Sequence, residues 1–129
     1  MPNEEGAPLD RLPDDAIVVR GGLMLAADLA VGAQSHFDAH GFYALSVYCV
    51  PGRTADEIAI GVPLRHSNIR ASTVGRLRSA GYEIVASPGP PGHADLVLPT
   101  PPTDHDWKAL DRVFDPPRPN PATMRIGDV

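Results

Sequence analysis

The chain has 129 residues, a formal net charge of −5, 43% hydrophobic and 21% charged residues, proportions that suit one globular domain and exclude a fully disordered chain. No apolar run approaches the roughly 18 residues that span a bilayer, and the N-terminus is acidic where a signal peptide is basic. A cytoplasmic location without membrane association is therefore expected, and the single cysteine excludes an internal disulfide.

Residues 1–13 form an acidic, proline-containing leader that is expected to be disordered. A folded body over 14–114 follows, opening with the β-branched run Ala16–Val19, a strand that ends at Arg20-Gly21-Gly22. Leu25, Leu29, Ala33 and Phe37 recur every four residues and predict a helix that stops at Gly41. Phe42–Val50 reads as a strand with Tyr43, Leu45, Val47 and Cys49 on one face and Ala44, Ser46 and Tyr48 on the other. Thr54 and Glu57 have capping-box spacing and open a short helix through Ile58.

Ile69–Ala71 predicts a brief strand leading into Ser72-Thr73, either of which caps a helix with Val74 and Leu77 inward and Arg76 and Arg78 outward. After Gly81, the runs Tyr82–Ala86 and Ala94–Leu98 predict two antiparallel strands across a Pro-Gly loop. Thr103–Asp106 opens a last helix that turns Trp107, Leu110 and Phe114 to one side. The expected fold is α+β, a mixed, mainly antiparallel sheet with helices packed on it, in the order β-α-β-α-β-α-β-β-α. Residues 115–129 form a proline-rich extended tail, which packs along the domain, binds a partner or hangs free.

Residues 1–15 hold five acids and one base, whereas 16–129 hold 11 acids and 10 bases, so the body lacks the basic excess usual in nucleic-acid binders. Nucleic acid is accordingly the less expected partner. Between Ala59 and Tyr82, however, Arg65, Arg70, Arg76 and Arg78 stand without an acid. Arg20 sits where a strand leaves the core, and its charge requires either an internal salt bridge, to Asp14 or Asp15, or an anionic ligand. Arg70, Ser72 and Thr73 lie where a strand hands over to a helix N-terminus, a place that receives phosphate or is closed by ordinary capping.

Of the five histidines, His36 and His40 share a helix face at i, i+4 spacing, but two ligands are too few for a metal site and none is expected. Cys49 and Trp107 read as core.

Val18-Val-Arg-Gly-Gly22 and Ala71-Ser-Thr-Val-Gly75 resemble the first two motifs of ADP-ribosyltransferases. The run from Arg20 through Ser72 and Gly92-His93 to Pro119-Asn-Pro121 is similar to small effector domains of bacterial polymorphic toxins. The resemblance implies an effector that transfers ADP-ribose from NAD to a macromolecule. Arg20, Gly21, Arg70 and Ser72 would then bind NAD and Thr73 would brace the pocket. Glu83 or Asp95 would supply the carboxylate, beside His93. The chain departs from that pattern in lacking an E-x-E or Q-x-E pair.

Two other readings use the same residues. A metal-independent ribonuclease needs a histidine base, a proton donor and an arginine, types supplied by His93, His66, Arg20 and Arg70. An antitoxin-like or immunity-like module would bind a protein partner through its acidic leader and tail.

Overall fold

The structure, a computed structural model, describes residues 11–62 and 64–123. The strands are β1 (Ile17–Gly21), β2 (Ala44–Cys49), β3 (Asn68–Thr73), β4 (Glu83–Ala86), β5 (His93–Val97) and β6 (Arg118–Pro119). The helices are α1 (Ala26–His40), α2 (Ala55–Gly61), α3 (Val74–Ser79) and α4 (Asp104–Val113), and a 3-10 turn closes Pro121–Thr123. The fold is α+β. One sheet runs β4-β5-β2-β1-β3-β6, and every pairing among the described strands is antiparallel.

Alternation along the strands divides the core. On one face Val18, Leu45, Val47, Leu96 and Ile84 meet Leu29 and Ala33 of α1 and Trp107 and Leu110 of α4. On the other face α2 lays Ile58 and Ala59 over Val19 and Ile69. The capping box of α2 forms as its sequence indicates, with Thr54 accepting from Glu57 N at 3.2 Å and Glu57 accepting from Thr54 N at 2.9 Å.

Two sequence expectations shift. Leu25 is the N-cap of α1 and lies 56% exposed, and Met24 enters the core in its place. Met24 does so with φ 58, a left-handed conformation unusual for a residue with a side chain. The proline-rich tail packs on the domain as far as it is described. Arg118–Pro119 pairs with β3, and the fully buried Asn120 donates to His66 O at 2.9 Å and accepts from Ala122 N at 2.9 Å. The leader through Asp10 and the end from Met124 lie outside the described residues.

The buried polar residues of β3 hold the C-terminal end of α4. Arg70 Nη2 donates to Asp111 O at 3.0 Å and Phe114 O at 3.1 Å, and Nε donates to Asp115 O at 2.8 Å. Its Nη1 donates to Asp111 Oδ1 at 2.7 Å and to Leu23 O at 3.3 Å. Ser72 Oγ donates to Val113 O at 2.6 Å. Helix-end carbonyls lack intrahelical partners and carry the negative end of the helix dipole, so a buried guanidinium satisfies both demands. Replacing Arg70 by Met removes these donors and strands several acceptors. We expect a loss of at least about 3 kcal/mol of unfolding free energy, at roughly 1–3 kcal/mol for each unsatisfied buried group, measured by urea denaturation. A loss below 1 kcal/mol would refute this assignment.

Candidate functional site

Strands β1 and β2 pair only at Val18–Cys49 and Val19–Tyr48. Past these pairs Arg20 bridges the two strands, its Nη1 donating to Ser46 O at 2.7 Å. The last turns of α1 lie over this region, and two adjoining cavities open there. One, of about 360 Å³, is lined by Arg20, Ser35, His36, His40 and Ser46. The other, of about 420 Å³, is lined by His36, His40, Ser46, Ser87, His93 and Asp95, with Phe42 at its edge. His36, His40 and Ser46 are common to both.

Register explains why the strand residues converge. Ser46 stands opposite Asp95 and Tyr48 opposite His93 on the β2–β5 ladder, and opposed residues of an antiparallel pair share a face. Alternate residues of β5, His93 and Asp95, therefore line the cavity while Ala94 and Leu96 enter the core.

Both histidines flanking Asp95 have one ring nitrogen fixed. His36 Nδ1 lies 2.8 Å from Phe42 O. A carbonyl can only accept, so this nitrogen carries the proton, and in the neutral ring Nε2 holds the lone pair. That Nε2 is 3.4 Å from Asp95 Oδ1. His93 Nδ1 is hydrogen-bonded to Ser87 Oγ, and the Tyr48 ring meets the His93 ring edge-on at 5.5 Å. His40 packs against His36, ring centroids 4.6 Å apart.

Arg20 is the electrostatic exception among the buried and half-buried arginines. Arg70 pairs with Asp111 and Arg78 with Asp14 and Glu83. Among the described residues no carboxylate lies within 4.0 Å of Arg20. Its Nε is buried with no hydrogen-bond partner. Burial pushes this guanidinium below its ordinary range, opposed by the more distant Asp28, so a desolvated charge lines the smaller cavity.

The other residues drawn from the sequence lie elsewhere. Arg70 and Ser72 are sealed under α4, so neither is available to a nucleotide. Thr73 caps α3, accepting from Arg76 N at 3.1 Å, and its strand position faces it away from Ser72. The two motifs thus do not meet around one cleft, although Arg20 and Arg70 are partners on the β1–β3 ladder. Gly21 is a packing site, since a side chain there would collide with the ring of His66. His66 lines neither cavity. Asp14, a suggested partner of Arg20, is taken by Arg78 at 2.6 Å.

Glu83 sits on edge strand β4 and accepts from Arg78 Nε at 2.8 Å and Ile84 N at 3.0 Å. Cys49 is buried, and burial pushes its thiol up to about 11 despite nearby Arg78, which agrees with a core role.

The sequence reading included His93, Asp95 and Arg20 but did not join them to His36, His40, Ser46 and Ser87. The available signal was period-two: polar Ser46, His93 and Asp95 interrupt strands whose alternate residues are apolar. Among the described residues no group of three or more His, Cys, Asp or Glu is arranged to hold a metal ion, and no helix is long and apolar enough to cross a membrane. No family model, curated protein or solved structure matches the chain.

The position of Glu83 gives a pH test. Burial alone would raise its pKa, but the hydrogen bonds from Arg78 and Ile84 outweigh this and hold it below the ordinary value. A depressed folded-state pKa contributes stability above the unfolded carboxylate value, and that contribution disappears as pH falls through the folded one. Glu83→Gln should therefore lower stability near neutrality and flatten its loss between neutrality and acid. Thermal unfolding of both proteins across that range measures the difference, and parallel curves would contradict it.

Proposed function

We propose that the cleft between α1 and the β2–β5 ladder is an acid–base site that cleaves RNA phosphodiesters without a metal, with cytoplasmic RNA as substrate. The observation that carries this reading is the pair His36 and His93, each with one ring nitrogen anchored, on a cavity wall shared with Asp95. RNA contains its own nucleophile in the 2′-hydroxyl, so the protein needs to supply only a base, an acid and charge stabilisation.

In this mechanism His36 Nε2 accepts the 2′-hydroxyl proton. The oxygen attacks phosphorus, the bond to the 5′ oxygen breaks, and a 2′,3′-cyclic phosphate forms. His93, protonated and held through Nδ1 by Ser87, donates from Nε2 to the departing oxygen. Asp95 faces His36 Nε2 and stabilises the imidazolium that the first proton transfer creates, as a carboxylate beside an acquired positive charge does. Arg20 adds positive charge to the adjoining cavity.

The acidic balance of the chain does not oppose this role. The two cavities are lined by Arg20, three histidines and one acid, Asp95, and a substrate responds to the field at the cleft more than to the total. Transfer of ADP-ribose from NAD keeps Arg20, His93 and Asp95 beside the two cavities but loses Arg70, Ser72 and Glu83, which are engaged elsewhere.

The test is incubation of the purified full chain with RNA in the presence of EDTA, with products resolved by mass. Cleavage leaving 2′,3′-cyclic ends is expected. His36→Ala and His93→Ala should each reduce the rate by roughly 10²–10⁴, the usual worth of one acid or base. Intact RNA, or variants as active as the parent, would end the proposal, and heat from NAD binding that Arg20→Ala abolishes would favour the ADP-ribosyltransferase reading.

A further inference from the structure

Arg20 faces the smaller cavity, whereas His93, Ser87 and Asp95 line only the larger one. The cavities meet at His36, His40 and Ser46. A phosphate gripped by Arg20 is therefore on the other side of this shared wall from His93, and the phosphate undergoing transfer between His36 and His93 is a different one.

We infer that the cavity of Arg20 is a subsite for a second phosphate, one nucleotide removed from the bond being broken, so that the preferred substrate is a phosphodiester flanked by another phosphate. The choice of a flanking phosphate rests on the acid–base reading above, but the anion subsite stands on separate observations. Arg20 uses one donor, toward Ser46 O. Its Nε–H is enclosed and unpaired, and no described carboxylate within 4.0 Å neutralises it. A half-buried cation without a described counter-charge carries a desolvation cost.

The anion is expected to be a phosphate because it can occupy several of the fork's donors at once. The cavity places polar groups on both sides of it. Nη2 of Arg20 lies against α1 at Gly32, where an added Cβ would stand 3.5 Å away. Ser35 and His40 on the following turns of that helix line the same space. They offer a hydroxyl and an imidazole to the remaining oxygens.

Two measurements on the full chain test the subsite independently of catalysis. Inorganic phosphate, titrated at constant ionic strength against chloride, should raise the thermal midpoint and move the Arg20 Nε–H resonance. Arg20→Met should lose the midpoint response and Arg20→Lys should retain part of it. Arg20→Met itself should unfold no earlier than the parent, because it removes a desolvated cation. A fall as large as that of Arg70→Met would mark Arg20 as structural and overturn the inference. A resonance and midpoint indifferent to phosphate would overturn it too, whether or not RNA is cut.

The third measurement compares a dinucleoside monophosphate with the same compound carrying one further phosphate at its 5′ or 3′ end. One phosphorylated form should show a KM lower by roughly tenfold, equivalent to one charge-assisted contact, and Arg20→Met should bring the ratio close to unity. Equal KM values despite phosphate binding at Arg20 would overturn the flanking-phosphate assignment. Phosphate binding at Arg20 without RNA cleavage would defeat the acid–base reading and leave the anion subsite supported.

Discussion

A helix that ends inside a protein must find donors for its last carbonyls, and in this chain that demand organises one side of the sheet. Arg70 and Ser72 project from β3 into the end of α4, and Arg70 also reaches Leu23 O in the loop before α1. One side chain therefore joins the central sheet, the last helix, the β1–α1 loop and the start of the tail. The apolar contacts of Trp107, Leu110 and Phe114 supply area, but area is non-directional. The guanidinium fork fixes where α4 stops.

This constraint separates two arginines that the β-ladder puts side by side. Arg20 and Arg70 are register partners on β1 and β3, and both point to the face covered by α1 and α4. Arg70 meets a helix C-terminus and an aspartate, so its donors are used. Arg20 meets the middle of α1 at Gly32, where backbone carbonyls are already bonded within the helix. The same residue type on the same face thus becomes a structural cap in one strand and an unsatisfied cation in its neighbour.

Much of the fold was legible because local physics dominates it. The β-branched runs, the capping box at Thr54, the stop at Gly41 and the spacing of Trp107 and Leu110 each specify an element from a few adjacent residues. Strand β6 escaped because its proline-rich sequence has no strand pattern. Its position depends on Asn120, whose partners at Leu64 and His66 lie more than fifty residues earlier. Met24 took the core position expected of Leu25, and its left-handed backbone just before the helix is a feature that four-residue spacing does not encode.

The site was less legible for the same reason in stronger form. Arg70, Ser72 and Thr73 have the composition of an anion cradle, but composition does not say whether a hydroxyl faces solvent or a carbonyl forty residues on. The converse holds for His36, whose one sequence signal is its i, i+4 spacing to His40. Its chemistry arises from Phe42 O fixing one nitrogen and from Asp95, almost sixty residues later, standing before the other. Arg70, Ser72 and Thr73 carry a recognisable pattern yet have structural partners, whereas Arg20 carries one and keeps an unpaired donor. An unused donor beside a cavity is therefore a firmer guide to chemistry here than resemblance of a short motif, because leaving it unused has a cost that packing alone does not explain.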